Sequence, residues 1–251
     1  MLRLRIAAIT SCVLVLGGLS VRAQDTDIRD VLRKAIVAHG GEKNLSKFKA
    51  VVSKFKGTME VGGVKAGVVG ETSLQKPDKV KNVMTLDING NAIDIVTVFN
   101  GKKLWVSAMG KTMEIDDEKI LKAAREEMQA EGASSFADYL KEPFELNSLG
   151  DVKVKGKAAI GIRISKKGQK DVSMFFDKQT NLLVKTEMRT LDGATGKEVT
   201  QEKYILGYQE RNGMKIPKRV EVQKDGKTFM DVEIIESQAF EKLDDSVFAK
   251  P

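Results

Sequence analysis

His39 is the single histidine of this 251-residue chain, and Glu42 follows it at a spacing that could begin a metal motif. Zinc needs three or four convergent His, Cys or carboxylate ligands, and the second histidine of such a motif is missing. A Ser-His-Asp arrangement would have to use the same His39, and no serine stands in a G-x-S-x-G elbow. The simpler reading places His39 at the end of a helix, where partial positive charge suits the C-terminal dipole. The paired acids Asp116-Asp117, Glu126-Glu127 and Asp244-Asp245 are neighbours in sequence and read as caps and solvated faces. Two distant carboxylates could still serve a glycosidase, so a hydrolase stays open as a third alternative. Gly67-Val68-Val69-Gly70-Glu71-Thr72 has no lysine for a phosphate loop, and a bend in a strand explains its glycines better. Lys153, Lys155 and Lys157 alternate on one face, and Lys166, Lys167 and Lys170 surround the next turn. They read as solvated strand edges, with acidic lipid headgroups as the competing partner.

These residues must be positioned by the elements around them. Ile28, Leu32, Ala35, Ile36 and His39 make one helical stripe, with cap oxygens at Asp25, Thr26 and Asp27 and a stop at Gly40-Gly41. A further turn of helix around Leu45 and Phe48 follows. From Ala50 the period falls to two, so Val51, Phe55 and Met59 share a face opposite Lys54, Lys56 and Glu60. Gly62-Gly63, Asn89-Gly90 and Asn100-Gly101 are hairpin signals that join strands through Val68, Met84, Ile95 and Trp105. A helical insertion over 116–142 carries Ile120, Leu121, Ala124 and Met128, ends at Gly132, and restarts at Ser134 or Ser135. Strands then resume around Ile160, Met174, Leu182, Val199, Val220 and Phe229, with turns at Lys167-Gly168, Asp192-Gly193, Asn212-Gly213 and Asp225-Gly226.

The first 23 residues carry Arg3 and Arg5, an apolar run from Ile6 to Leu19, and small residues at Val21 and Ala23. This pattern predicts an export signal cleaved after Ala23 and one mature domain over 24–251. A lipobox around Cys12 is the competing reading. Cleavage would remove the only cysteine and lower the net charge from +7 to +4, with 39 Lys and Arg against 35 Asp and Glu. Such a balanced surface outside the cytoplasm gives no reason to expect a nucleic-acid partner. Nine methionines besides Met1 remain, several on apolar strand faces, and methionine both fills cores and lines adaptable hydrophobic sites.

Four segments carry a family resemblance. They are "DVLRKAIVAHGGEKNLSKFKAVVSKFKGTMEV", the hairpin "MFFDKQTNLLVKTEMR", the hairpin "GYQERNGMKIPKRVEV" and the ending "EKLDDSVFAKP". Together they resemble the exported LolA/LolB-like superfamily of outer-membrane lipoprotein-sorting proteins. The resemblance implies a mainly β fold, a curved antiparallel sheet forming an incomplete barrel, with an N-terminal helix and a helical insertion covering or plugging it. It also implies a hydrophobic interior that receives acyl chains, and the residue inventory gives no expectation of an enzyme, a cofactor or a metal.

The expected protein is a soluble periplasmic carrier of an acylated lipoprotein or other lipid, monomeric, with transient membrane-surface contact. Its expected wall is Val51, Phe55, Met59, Met84, Leu86, Trp105, Met174 and Phe176, with Ile120, Leu121 and Met128 as a lid. The alternative is an envelope stress-sensing or protein-interaction module on the same fold.

Overall fold

The computed structural model describes residues 27–131, 135–193 and 195–251. The expected leader, Cys12, Gly132 and Ser134 lie outside them. Helix α1 (Ile28–Ala38) begins where the Asp27 carboxylate accepts from the Arg29 amide, and its stripe Val31, Leu32, Ala35 and Ile36 is buried. The chain then turns at Gly40, whose φ of 125° suits glycine and whose Cβ position lies 2.6 Å from the Gly213 carbonyl oxygen. Helix α2 (Gly41–Lys47) anchors Leu45.

Six strands follow as a meander: β1 (Ala50–Val61), β2 (Val64–Gln75), β3 (Lys79–Ile88), β4 (Asn91–Asn100), β5 (Leu104–Ala108) and β6 (Lys111–Ile115). The insertion forms α3 (Glu118–Ala130), capped by the Asp117 carboxylate, and the single turn α4 (Phe136–Tyr139). Then come β7 (Glu145–Val154), β8 (Lys157–Ser165), β9 (Val172–Asp177), β10 (Leu183–Leu191) and β11 (Glu198–Ile205). The short hairpin of β12 (Tyr208–Arg211) and β13 (Met214–Pro217) stands apart, and β14 (Arg219–Lys224) and β15 (Lys227–Phe240) complete the sheet. Asn89, Asn212 and Asp225 adopt positive φ before a glycine, as the expected turns require. Strands β6 and β7 have no counterpart among the expected strands. The turn between β7 and β8 uses Lys155 at φ 47°, a position that carries no Asn or Asp signal.

Thirteen strands form one antiparallel sheet, ordered β6-β5-β4-β3-β2-β1-β15-β14-β11-β10-β9-β8-β7. The first and last long strands join the two meanders, with Ala50 opposite Phe240 and Met59 opposite Met230. Strands β6 and β7 remain edges, so the sheet curves without closing: an incomplete barrel. Bulges between Lys54 and Phe55, Ser148 and Gly150, Leu183 and Lys185, and Val222 and Gln223 supply part of the bend. Gly57 supplies more, because a Cβ there would lie 2.7 Å from the Val232 Cα.

Helices α1 to α4 all pack on one face of the sheet, the inner face. Helices α1, α2 and α4 cover Ile160, Ile162, Ile164, Met174, Phe176 and Met188 in the main core. Helix α3 sets Leu121 and Met128 on Phe99, Leu74, Val80 and Leu104 at the other end of the same face. On the outer face the C-terminal segment lays Leu243, Val247 and Phe248 over Val96, Val98 and Trp105. Burying each large side chain contributes about 1.5–3 kcal/mol, so the helix-covered half is the more firmly built part of the fold.

Candidate functional site

Between the two helix-covered regions, the inner face carries a strip of apolar side chains from β1 to β4 and from β14 to β15. The register aligns Phe55, Gly70, Met84 and Ile95 across four strands, and Gly57, Val68, Leu86 and Ile93 in the next row. Met59 lies opposite Met230 on β15 and opposite Ala66 on β2. Phe55, Val68, Leu86, Val220, Val222 and Val232 are buried, whereas Met59, Met84, Ile95 and Met230 are only partly so. Towards the hairpin tips the same face exposes Val61, Val64 and Met113. Unbranched, polarizable methionines at the half-covered positions suit a surface that repacks around different apolar shapes.

Helix α3 borders the strip, and polar groups fix its C-terminal half. The Glu127 carboxylate accepts from the Thr190 hydroxyl at 2.6 Å, and Glu131 accepts from the Lys203 ammonium at 2.6 and 2.8 Å. Lys76 donates to the Met128 carbonyl, and the Tyr139 hydroxyl donates to the Gln129 carbonyl at 2.6 Å. Burial pushes the Glu127 carboxyl up. Burial acts the same way on Glu131, but the charge and hydrogen bond of Lys203, with Lys76 beyond, hold that carboxyl below its ordinary value. Burial draws the Lys76 ammonium down to about 8. The second acid pair therefore departs from the expected solvated face. Glu126 is buried beside Lys122 at 3.8 Å, and Glu127 is bound to β10.

Of the expected wall and lid, the structure gathers Phe55, Met59, Met84 and Leu86 into the strip, with Val51 on the same face beside Leu74. Leu121 and Met128 of α3 lie on that face, and Ile120 is partly buried on the same helix but outside their cluster. Met174 and Phe176 also face inward, but they are fully buried under α1 and α4 and belong to the main core. Trp105 is on the other side of the sheet. It pairs with Val98 and Glu114, packs against Phe248, and donates its indole N–H to Glu114 at 3.0 Å. Leu104, Trp105 and Val106 are consecutive apolar residues, so alternation cannot tell which of them faces inward, and only the register does. Met230 and Ile95 complete the strip, and their alternating apolar pattern was the available signal. The Lys76, Lys203 and Glu131 group carried none.

His39 ends α1 as expected but does not act as a cation. Its Nδ1 donates to the Ala35 carbonyl at 2.7 Å, so Nε2 accepts from the Leu183 amide at 3.4 Å, with the Tyr208 hydroxyl at 3.3 Å. Rings of Phe136 and Tyr208 stand edge-on at 5.1 and 5.5 Å. Burial lowers its pKa to about 4, so the imidazole is neutral at pH 7. Lys155 is exposed at the β7–β8 turn, as expected of a solvated edge, while it pairs with Glu221 at 3.0 Å and covers the Tyr204 ring at 4.3 Å. Among the described residues no three His, Cys, Asp or Glu side chains converge as metal ligands. No helix among them is long and apolar enough to cross a membrane.

An open groove of about 1,020 Å³ lies on the outer face, lined by polar groups including Lys56, Thr58, Lys65, Asp87 and Arg219. It is a different surface from the apolar strip. A small cavity of about 20 Å³ under α3 and α4 holds room for no more than a water.

No family model matches the sequence, and no curated protein does. Solved structures do share the fold. A domain described as an outer membrane lipoprotein-sorting protein from Vibrio parahaemolyticus superposes with a TM-score of 0.56 at 10% identity, over 88% of this chain and 96% of that one. A DUF1329 family protein from Desulfovibrio piger gives 0.56 at 13% identity, over 88% and 97%. A LolA superfamily protein from Nitrosomonas europaea gives 0.51 at 11% identity, over 88% and 97%. The chain has the LolA-like fold; identities this low speak for the fold alone.

Proposed function

We propose that the protein is a periplasmic carrier that holds an acyl chain, of a lipoprotein or another lipid, on the inner strip between β1 to β4 and α3. The observation that carries this reading is the set of half-covered methionines, Met59, Met84 and Met230, on the face that α3 borders. They supply an apolar, adaptable floor beside a helix that is held by polar contacts as well as by Leu121 and Met128. At roughly 0.8 kcal/mol per buried methylene, ten methylenes supply about 8 kcal/mol, which corresponds to micromolar binding without any catalytic group. The leader-like first 23 residues support export, and the fold shared with lipoprotein-sorting proteins supports the ligand class.

The test is direct. Protein isolated from the envelope without detergent is extracted with organic solvent and its lipids are identified by mass spectrometry. The purified chain is then titrated with a fluorescent acyl probe. Saturable binding that Met84→Glu weakens at least about tenfold, with unchanged thermal unfolding, is the expected result. No lipid in the extract and no saturable binding would overturn the carrier reading.

A second reading, a protein-interaction or stress-sensing module, is favoured by the sheet edges at β6 and β7, which pair with no further strand among the described residues. An extended segment of another protein could add to either edge through main-chain hydrogen bonds. Capture of one defined envelope protein that Lys111→Pro or Thr112→Pro abolishes, with no lipid bound, would favour it.

A further inference from the structure

The polar group at the end of α3 is unusual in its composition. Two lysines from distant parts of the chain, Lys76 at the β2–β3 turn and Lys203 on β11, come to the same end of α3, where Lys203 pairs with Glu131. Lys203 donates to both Glu131 oxygens at 2.8 and 2.6 Å. Lys76 donates to the Met128 carbonyl and is within electrostatic reach of Glu131, Lys203 and Asp138. Asp138 is itself held at the surface by Lys141 at 3.3 Å. Lys224, also facing the helix, is paired with Asp192 at 2.7 Å. Glu127 hydrogen-bonds Thr190, and burial favours its neutral form. The immediate group thus sets two ammonium groups beside two carboxylates, Glu127 held by Thr190 and Glu131 by Lys203.

Its place on the sheet gives the group a direction. The register puts Lys203 opposite Val222, Val222 opposite Met230, and Met230 opposite Met59, all on the inner face. Three strand steps of about 4.8 Å carry this row roughly 14 Å from the Lys203 backbone position into the methionine strip. A charged end joined to an apolar row has the shape of an amphiphile's own division into head and chain.

We propose that Lys76 and Lys203 form a head-group site for the carboxylate of a long-chain acid, and that Glu131 occupies this site as an internal competitor. The inference rests on the carrier reading and narrows its ligand to an amphiphile with a free carboxylate. An acyl chain esterified or amidated to a protein lacks that charge. A lysine already paired with a carboxylate, with a second ammonium within electrostatic reach, needs little reorganisation to accept another carboxylate, and charge-assisted hydrogen bonds are the strong class. When the ligand carboxylate takes Lys203, Glu131 is released and α3 loses one of its attachments to β11.

Competition binding against a neutral fluorescent acyl probe tests this, using palmitic acid, 1-hexadecanol and hexadecyl phosphate. Palmitic acid should bind at least about tenfold more tightly than the alcohol. Lys203→Met should reduce that preference to less than about twofold while leaving the alcohol's affinity unchanged, and Lys203→Arg should keep it. Glu131→Gln should tighten the acid several-fold and leave the alcohol where it was. Thermal unfolding of each variant is measured beside the binding, and if Lys203→Met does not fold, Lys203→Arg and Glu131→Gln carry the test.

Equal binding of acid and alcohol by the unmodified chain overturns the head-group site and leaves the carrier standing. Binding of neither chain overturns the carrier and the site with it. Tighter binding of hexadecyl phosphate than of palmitic acid overturns the assignment of a carboxylate. Glu131→Gln weakening the acid as much as Lys203→Met does shows Glu131 to be part of the fold's support, and the competitor role falls.

Discussion

Acidification from about pH 7.5 to about pH 5 is expected to destabilise the protein through His39, and the size of the effect follows from its surroundings. In the folded chain burial holds the imidazole near pKa 4, against 6.5 for the free side chain. The unfolded chain therefore binds more protons between those values, and stability contributed by neutral His39 is complete above pH 6.5. It is lost as the pH falls towards 4 and changes no further below that. At about 1.36 kcal/mol per pH unit, the loss by pH 5 is about 2 kcal/mol, a large share of a domain's usual margin. The structural cause is specific. Nδ1 already donates to Ala35, so a proton on Nε2 would oppose the Leu183 N–H and find only the Tyr208 hydroxyl oxygen, at 3.3 Å, to accept it. The assay is urea unfolding at several pH values for the unmodified chain and for His39→Gln. The variant loses hydrogen bonds and starts about 1–3 kcal/mol less stable at pH 7.5. The gap between the two should then close by about 2 kcal/mol at pH 5, because glutamine does not titrate. A gap that stays constant with pH, or an NMR titration of His39 near 6.5, would refute the reasoning.

Three further outcomes are expected. Phe176→Ala, under α1 and α4, should cost about 3–5 kcal/mol of stability in chemical unfolding and leave acyl-probe affinity unchanged once the protein is folded. The opposite pattern, binding lost with stability kept, would place the binding surface in the helix-covered half. Gly57→Ala should destabilise by about 1–3 kcal/mol, measured by the urea midpoint, because the new Cβ meets the Val232 backbone and neither strand can yield freely. Trp105, the only tryptophan, reports on the outer face: its emission maximum should stay fixed when acyl ligand binds and shift to the red in Phe248→Ala. A ligand-induced shift without change in the C-terminal segment would place the ligand on the wrong side of the sheet for an inner-face carrier.

The amino-acid sequence by itself determined the local pieces. The α1 stripe, its Asp27 cap and its glycine stop are written in eleven residues and their neighbours, and each acts within one or two turns of chain. Asn89-Gly90, Asn212-Gly213 and Asp225-Gly226 make their hairpins because positive φ is cheap at those residues. Alternation along β1 and β3 sorted Phe55, Met59, Met84 and Leu86 onto a common face. Both internal hairpins, the opening helix-to-strand segment and the C-terminal ending pointed to the LolA-like fold that the superpositions share.

Tertiary structure decided which face was which and what came together across it. Trp105 and Leu104 are equally apolar neighbours, and only the pairing of β5 with β4 sends one outward and the other beneath α3. The partnership of β1 with β15 joins chain ends nearly two hundred residues apart, and no local signal specifies it. Lys203 and Glu131 are 72 residues apart, and each reads in sequence as an ordinary solvated charge. Their meeting depends on α3 crossing the inner face at one angle, set by the packing of Leu121 and Met128 on Phe99. Turn and periodicity signals act over a few residues, whereas the side that a strand presents, and the charge it meets there, are properties of the assembled sheet.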